Sequence, residues 1–148
     1  MSVQKQVMDK MKEAMKSKDT VALTALRALK SAFMLANTEV GSGELSEGDE
    51  MKIIQKQVKQ RKDSAAVFSE QGRSDLAEPE LAEAAILEQF LPEALSEEEI
   101  EKVVKETIAK VGAEGMKDMG KVMGIVSKQL AGQADGKTIS TLVRKNLI

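Results

Sequence analysis

Glycine and lysine alternate with apolar residues in "DMGKVMGIVSKQLAGQADGKTIS", residues 118–140. Gly120, Gly124, Gly132 and Gly136 interrupt apolar residues that recur at helical spacing. Each interior glycine costs a helix roughly 0.5 to 1 kcal/mol relative to alanine. A helix face without side chains allows a phosphate backbone to approach closely, and lysine, arginine and threonine can contact phosphate oxygens or sugar hydroxyls. The stretch is therefore a candidate contact surface for a polyanion.

Two predicted helices in this region each carry one apolar and one basic face. In the first, at about 100° per residue, the apolar face consists of Met119, Val122, Met123, Val126 and Leu130. Lys121, Gly124 and Lys128 lie on the opposite side. The last helix places Ile139, Leu142 and Val143 opposite Lys137, Thr141 and Arg144. The predicted RNA- or partner-binding residues are Gly120, Lys121, Gly124, Lys128, Gly132, Lys137, Thr141, Arg144 and Lys145.

Two ordinary explanations compete with a binding site here. A Gly-x-x-x-Gly pair such as Gly120 and Gly124 often marks close helix packing, and a lysine face is often simply solvated. Because Gly124 points away from the apolar stripe, close packing explains it less well. Both alternatives stay open from the sequence alone.

Most familiar active sites are excluded by composition. The 148 residues include no cysteine and no histidine, which rules out disulfides, thiolate nucleophiles, the usual zinc sites and imidazole acid/base chemistry. No phosphate-binding loop or dinucleotide fingerprint occurs, and the acidic residues are spaced as helix caps and solvent faces. We predict no catalytic residue, no cofactor and no metal site.

Aromatic residues are too few to read unstacked bases. The chain has no Trp and no Tyr, and Phe33, Phe68 and Phe90 occupy core-like positions. Single-strand binders stack bases on exposed aromatics. If RNA binds, we expect it to be folded RNA recognised by shape and backbone.

An arginine interrupts the predicted buried seam of the third helix. That seam consists of Ile54, Val58, Ala65 and Phe68, and Arg61 falls in its middle. A buried guanidinium is costly unless it is paired. Either the side chain reaches the rim or it forms a structural ion pair with Glu80, Glu83 or Glu88.

The pattern along the chain predicts an all-α protein with a four-helix domain at 1–92 and a three-helix domain at 93–148. We expect helices over 2–17, from 20 past Phe33 to a stop near Gly41 and Gly43, and from a Ser46 cap to 71. The fourth begins at a Ser74 or Asp75 cap and contains Pro79. The last three run from the Ser96 cap of "SEEE" to Gly112, over 119–131, and over 136–147 with Asp135 as cap.

Charge is unevenly distributed in the second predicted domain. The whole chain has a net charge of -2, but residues 93–114 carry three Lys and seven Glu, and residues 115–148 carry five Lys and one Arg with two Asp. The glycine-rich end is thus the basic end. The opening "MSVQKQVMDK" lacks an apolar core of signal-peptide length, and no apolar run approaches the roughly 20 residues of a membrane span. We expect a cytoplasmic protein without a membrane segment.

Several segments together resemble the stand-alone YqeY-like proteins of the GatB/YqeY family. They are "LRALKSAF", "KQVKQRKDS", "GRSDLAEPE", "ILEQFLPEALSEEEI" and "KDMGKVMGIVSKQLAGQADGKTIS". The resemblance covers essentially the whole chain and implies an all-α fold in two parts. It implies that the C-terminal part is similar to the tail domain of the GatB component of the Asp-tRNA/Glu-tRNA amidotransferase. That tail domain is associated with tRNA binding. The tail-domain motif falls on Asp118, Gly120, Lys121, Gly124, Gly132, Asp135 and Gly136.

The resemblance implies the family label of carbon-nitrogen ligase activity with glutamine as amido-N-donor. The chain encodes neither a glutaminase subunit nor an ATP-binding domain, so we do not expect it to catalyse that reaction alone. The first hypothesis is a non-catalytic tRNA-binding or tRNA-amidotransferase-related module, with tRNA, another folded RNA or amidotransferase subunits as partners. The second is a protein-interaction adaptor whose glycine-bearing face receives a partner helix.

Overall fold

A computed structural model describes residues 2–40 and 45–148, and all regular structure within them is helical. The described residues contain seven α-helices, one short 3₁₀ helix and no strand. The predicted all-α class is therefore confirmed. No helix in these two ranges is long and apolar enough to cross a membrane.

The chain divides into two compact units, Met1–Leu91 and Pro92–Ile148. Each unit has its own apolar core. That the two units are independently folding domains stays a prediction.

The first unit contains four α-helices. They are α1 (Val3–Ser17), α2 (Thr20–Val40), α3 (Glu47–Glu70) and α4 (Ser74–Glu88). Helices α3 and α4 pack as a hairpin, and α2 packs on α1, α3 and α4. The core includes the fully buried Leu26, Leu29, Ile54 and Leu87. Phe33 and Phe90 are buried in it, while Phe68 is half-buried.

The second unit contains a 3₁₀ turn, Met116–Asp118, and three α-helices. The helices are α5 (Glu97–Val111), α6 (Met119–Gln129) and α7 (Gly136–Leu147). Each of the three packs against the other two. Their shared core contains Val104, Val122, Val126, Ile139 and Val143, all nearly inaccessible to solvent. The apolar faces expected for α6 and α7 are the faces that enter this core.

Several helix ends have the caps that the sequence indicates. The hydroxyls of Ser46 and Ser96 each accept a hydrogen bond from the backbone N–H three residues later, and both helices have a complete capping box. Asp135 accepts a hydrogen bond from the Thr138 N–H at 2.6 Å and begins α7. Helix α5 ends at Gly112, whose φ of 66° is left-handed.

The predicted cap of α4 is wrong. Arg73 occupies the N-cap position without a side-chain capping bond, so Ser74 and Asp75 lie inside the first turn. The reason is a local competitor: Arg73 Nε and Nη2 each donate to the Asp75 carboxylate at 3.0 Å. That interaction lowers the pKa of Asp75. A carboxylate held by the guanidinium does not cap the helix.

Helix α6 ends at Gln129, two residues before the predicted end, because Leu130 already leaves helical geometry with φ -103° and ψ 18°. The predicted stop of α2 near Gly41 and Gly43 lies outside the described residues. Pro79 is accommodated inside α4.

Candidate functional site

The outer face of α6 carries four of the predicted site residues. Gly120, Lys121, Gly124 and Lys128 are all exposed. They fall within an arc of about 100° around the helix axis. The opposite side is fixed by the burial of Val122 and Val126, which are fully inaccessible. The helix therefore presents glycines and lysines to solvent because its apolar residues are used in the core.

Packing does not account for the two glycines of α6. A Cβ atom built at Gly120 or at Gly124 meets no neighbouring atom within 4 Å among the described residues. Neither glycine has a positive φ. Alanine would fit at both places and would favour the helix. Close packing within this chain is thus not the reason for the bare backbone.

Helix α7 presents its own polar face. Lys137, Thr141 and Arg144 are exposed, while Ile139 and Val143 are buried. The Thr141 hydroxyl donates a hydrogen bond to the Lys137 carbonyl at 2.9 Å. Its oxygen can still accept a hydrogen bond from a ligand hydroxyl.

The cations of these two faces lack acidic partners within the described ranges. No described carboxylate oxygen lies within 4.0 Å of the side-chain nitrogens of Lys121, Lys128, Lys137 or Arg144. Uncompensated surface charge of one sign attracts polyanions and is weakened by salt.

Lys145 is in a different environment from the other predicted cations. Its ammonium lies 3.7 Å from Glu101 Oε1 on α5. Asn146 donates a hydrogen bond to the same carboxylate at 3.3 Å, and Lys105 lies 3.9 Å from it. The Asn146 hydrogen bond, helped by the charges of Lys145 and Lys105, lowers the pKa of Glu101. Lys145 therefore interacts with α5, while 68% of its side chain stays exposed.

Gly132 has a structural explanation of its own. It is buried in the turn between α6 and α7, and its φ is 85°. Side chains are strained in that conformation, so glycine is favoured without any ligand. The next residue, Gln133, accepts a backbone hydrogen bond from the Leu95 N–H at 3.0 Å. Gly136, in contrast, is exposed at the first position of α7.

Two aspartates of the same motif position the helices. Asp118 accepts a hydrogen bond from the Glu114 N–H at 3.0 Å, directly before α6. Asp135 caps α7. Both carboxylates are therefore used in the local backbone structure.

One exposed apolar residue beside the site was missed. Ile125 is 39% exposed and lies about 40° around α6 from Lys121. Its position follows from the same helical periodicity that places Gly124, so the signal was present in the sequence. An apolar side chain at this edge adds contact area next to the lysines.

Arg61 lies between α3 and α4, with 16% of its side chain exposed. Its Nη1 is 3.8 Å from Glu80 Oε2 and 3.7 Å from Glu83 Oε2. Its Nε has no hydrogen-bond partner among the described atoms. Burial raises the pKa of Glu83. The charge of Arg61 acts in the opposite direction, and the charge of Glu80 adds to the increase. Glu88 instead meets Lys62 at 2.5 Å.

The described residues show no cluster of side chains that could bind a metal ion. Residues 2–40 and 45–148 contain no group of three or more acidic side chains arranged to hold a metal ion.

The fold and this surface define a small all-helical protein with a basic, glycine-bearing face in its C-terminal unit. The sequence profile of the Yqey-like protein family matches residues 4–147, and the chain belongs to that family. The resemblance stated from the sequence is confirmed.

Relatives of two kinds are similar to this chain. Altered inheritance of mitochondria protein 41 of Clavispora lusitaniae is 34% identical over 123 residues, which cover 81% of this chain and 69% of that protein. Its counterpart in Pyrenophora tritici-repentis is 30% identical over 138 residues, or 91% of this chain and 75% of that protein. Both names describe mitochondrial proteins.

The second kind is the E-type subunit of Glutamyl-tRNA(Gln) amidotransferase. The protein from Thermococcus gammatolerans is 40% identical over 73 residues, which cover 47% of this chain and 12% of that subunit. The shared segment is thus about an eighth of the amidotransferase component.

Proposed function

We propose that this protein is a non-catalytic module that binds folded RNA, tRNA in particular, through the outer faces of α6 and α7. Lys121, Lys128, Lys137 and Arg144 supply positive charge, and Gly120 and Gly124 supply clearance for the phosphate backbone. The observation that carries the proposal is the open space at Gly124 between Lys121 and Lys128, neither of which has an acidic partner among the described residues.

The chemistry of the surface favours folded RNA over single-stranded RNA with unstacked bases. The second unit contains no aromatic residue, since the three phenylalanines all precede residue 91. Its contacts are therefore limited to phosphates, ribose hydroxyls and groove edges. The segment shared with an amidotransferase component named for Glutamyl-tRNA(Gln) makes tRNA the first RNA to test.

The proposal is tested by tRNA binding to charge-reversal variants. Lys121→Glu with Lys128→Glu should lower the affinity for total tRNA by at least about tenfold, because two phosphate contacts become repulsive. A gel-shift or filter-binding titration measures this.

A matched control is available on α5. Lys102→Glu with Lys110→Glu makes the same change in net charge at two exposed lysines of the acidic helix. This control should bind tRNA with nearly the wild-type affinity. Equal losses in both variants would show a response to net charge alone and would contradict a site on α6.

The alternative function is a protein-interaction adaptor, and the exposure of Ile125 beside the glycines favours it. A partner helix, including one from an amidotransferase component, would pack on the bare backbone. Gly124→Leu would then abolish binding, while the lysine reversals would have little effect. A pull-down with and without ribonuclease separates the two functions.

The cytoplasmic location is part of the proposal and has its own test. Relatives that share most of the chain are named as mitochondrial. Fractionation of cells that produce the tagged full-length protein decides between cytosolic and organellar recovery.

A further inference from the structure

Helix α1 has a basic outer stripe in the first unit, formed by Lys5, Lys12 and Lys16. All three lysines are exposed and lie within an arc of about 40° around the helix. Among the described residues, no carboxylate oxygen lies within 4.0 Å of their ammonium groups. The neighbouring Lys10 differs, since it pairs with Glu13 at 3.2 Å.

The outer face of α3 in the same unit carries lysines interspersed with acids, although only Lys59 has a carboxylate oxygen within 4.0 Å among the described residues. Lys52 and Lys56 share the outer face of α3 with Asp49 and Asp63, within an arc of about 60°. Lys59 on that face donates to Asp63 at 2.8 Å. Acids and bases alternate along α3, whereas the α1 stripe has only Asp9 at its edge. The α1 stripe therefore has a higher net positive charge than the outer face of α3.

Exposed methionines border the α1 stripe. Met8 and Met15 are 39% and 51% exposed and lie about 40° to 60° from Lys12 around the helix. These side chains would add apolar contact area for a partner that covers the lysines. Methionine also adapts its shape to an irregular partner.

The composition of the stripe distinguishes among the possible partners. The apolar side of α1, with Val7, Met11 and Ala14, is buried in the core and cannot enter a lipid bilayer. Lysine is depleted from protein–protein interface cores, whereas it is a regular contact for phosphates. A phosphate backbone is the partner that fits best.

We propose that the α1 stripe of Lys5, Lys12 and Lys16 is a second RNA-backbone contact, located in the N-terminal unit. This inference rests on the proposed RNA-binding function and assigns a role in it to the first unit. Two covalently joined contacts on one RNA raise the overall affinity above that of either contact alone.

The test compares two variants of the full-length chain with the same residue spacing. Lys12→Gln with Lys16→Gln changes the stripe, and Lys52→Gln with Lys56→Gln changes the α3 face. Total tRNA binding is measured from low to moderate salt. The α1 variant should bind roughly tenfold more weakly at low salt, and its log–log salt slope should be about 1.4 to 1.8 smaller than that of wild type. The α3 variant should stay within about twofold of wild type.

Each other result would overturn the inference in a distinct way. If the Lys121 and Lys128 reversals abolish binding but the α1 and α3 variants bind equally well, the second contact is absent and the α6 site stands. If wild type shows no salt-dependent tRNA binding, both proposals fail. If the α1 variant binds tRNA normally but no longer sediments with vesicles of phosphatidylcholine and phosphatidylserine, the stripe is a lipid contact. A further variant, Lys5→Gln with Lys12→Gln, should reproduce the loss of tRNA affinity.

Discussion

At the scale of single residues, two glycines of one motif exist for different reasons. Gly132 has a φ of 85° in a buried turn, so its backbone requires a residue without Cβ. Gly124 is helical, exposed and surrounded by open space, so nothing within the described chain requires it. A glycine that stability does not need is a candidate for a role in binding.

This contrast predicts opposite effects of alanine at the two positions. Gly124→Ala should raise the free energy of unfolding by about 0.5 to 1 kcal/mol, since alanine favours a helix and has room for its Cβ. The same variant should bind tRNA more weakly, because a phosphate can no longer reach the backbone. Urea unfolding followed by circular dichroism and a tRNA titration measure the two quantities.

Gly132→Ala is the control for that experiment. Alanine in a left-handed conformation costs about 1 to 2 kcal/mol, so this variant should be less stable than wild type. A stabilised Gly124→Ala protein with unchanged tRNA affinity would contradict the clearance role of the glycine.

At the scale of helices, the sequence predicts most boundaries because the caps are local. Ser96 and Glu99 are three residues apart, and their capping box needs only each other and the backbone. The cap of α4 was not predictable in this way, because Arg73 competes for the Asp75 carboxylate. Pairs of residues outside a capping motif can thus change where a helix begins.

Ser96 caps α5 and Ser74 does not cap α4, so alanine variants of these two serines form a matched pair. Ser96→Ala should lower the free energy of unfolding by about 0.5 to 2 kcal/mol, since it removes the acceptor for the Glu99 N–H. Ser74→Ala should change it by only a few tenths of a kcal/mol, because Ser74 does not cap α4. Thermal unfolding of both proteins checks this, and equal losses would refute the assignment of the two N-caps.

The pairing of α3 with α4 predicts a pH-dependent effect at Arg61. Arg61→Leu should lower the free energy of unfolding by about 1 to 3 kcal/mol at pH 7, since Glu80 and Glu83 lose their nearby cation. Burial already raises the pKa of Glu83, and loss of Arg61 raises it further. A raised carboxyl pKa means that the folded state binds more protons, so stability falls as pH rises through that pKa.

The loss in free energy of unfolding caused by Arg61→Leu should therefore be smallest near pH 4 and should grow towards pH 7. Urea unfolding at several pH values measures it. Glu83→Gln is the control, because it removes a carboxylate whose charged form is disfavoured, and it should cost less than Arg61→Leu at pH 7. A deficit that is the same at every pH would exclude the electrostatic explanation.

At the scale of the whole molecule, helical periodicity predicts which residues face solvent better than it predicts which distant residues contact each other. Periodicity alone places Gly124 and Lys128 on an outer face, and the exposure of both agrees with that placement. It does not reveal that Lys145 is joined to Glu101, because these two residues, far apart in the chain, are brought together only by the packing of α5 on α7. Contacts between distant residues need the tertiary structure.

The α6 and α7 faces together predict how strongly salt weakens tRNA binding. Four phosphate contacts, from Lys121, Lys128, Lys137 and Arg144, contribute a log–log slope of about -3 to -4, and the proposed α1 contact would make the total steeper. Affinity should then fall at least about a hundredfold between 50 and 200 mM salt. A titration series across that range measures the slope, and a value near zero would rule out backbone contacts by these residues.

The exposed methionines of the first unit, Met8 and Met15 on α1 and Met34 on α2, also determine where an oxidant acts on that unit. With no cysteine in the chain, peroxide acts first on accessible thioethers, and Met8 and Met15 are accessible while Met11 is buried. Conversion of these two side chains to sulfoxides makes the edge of the helix polar and leaves the interior unaltered. Oxidative damage therefore reaches the surface chemistry of the first unit before it reaches its fold.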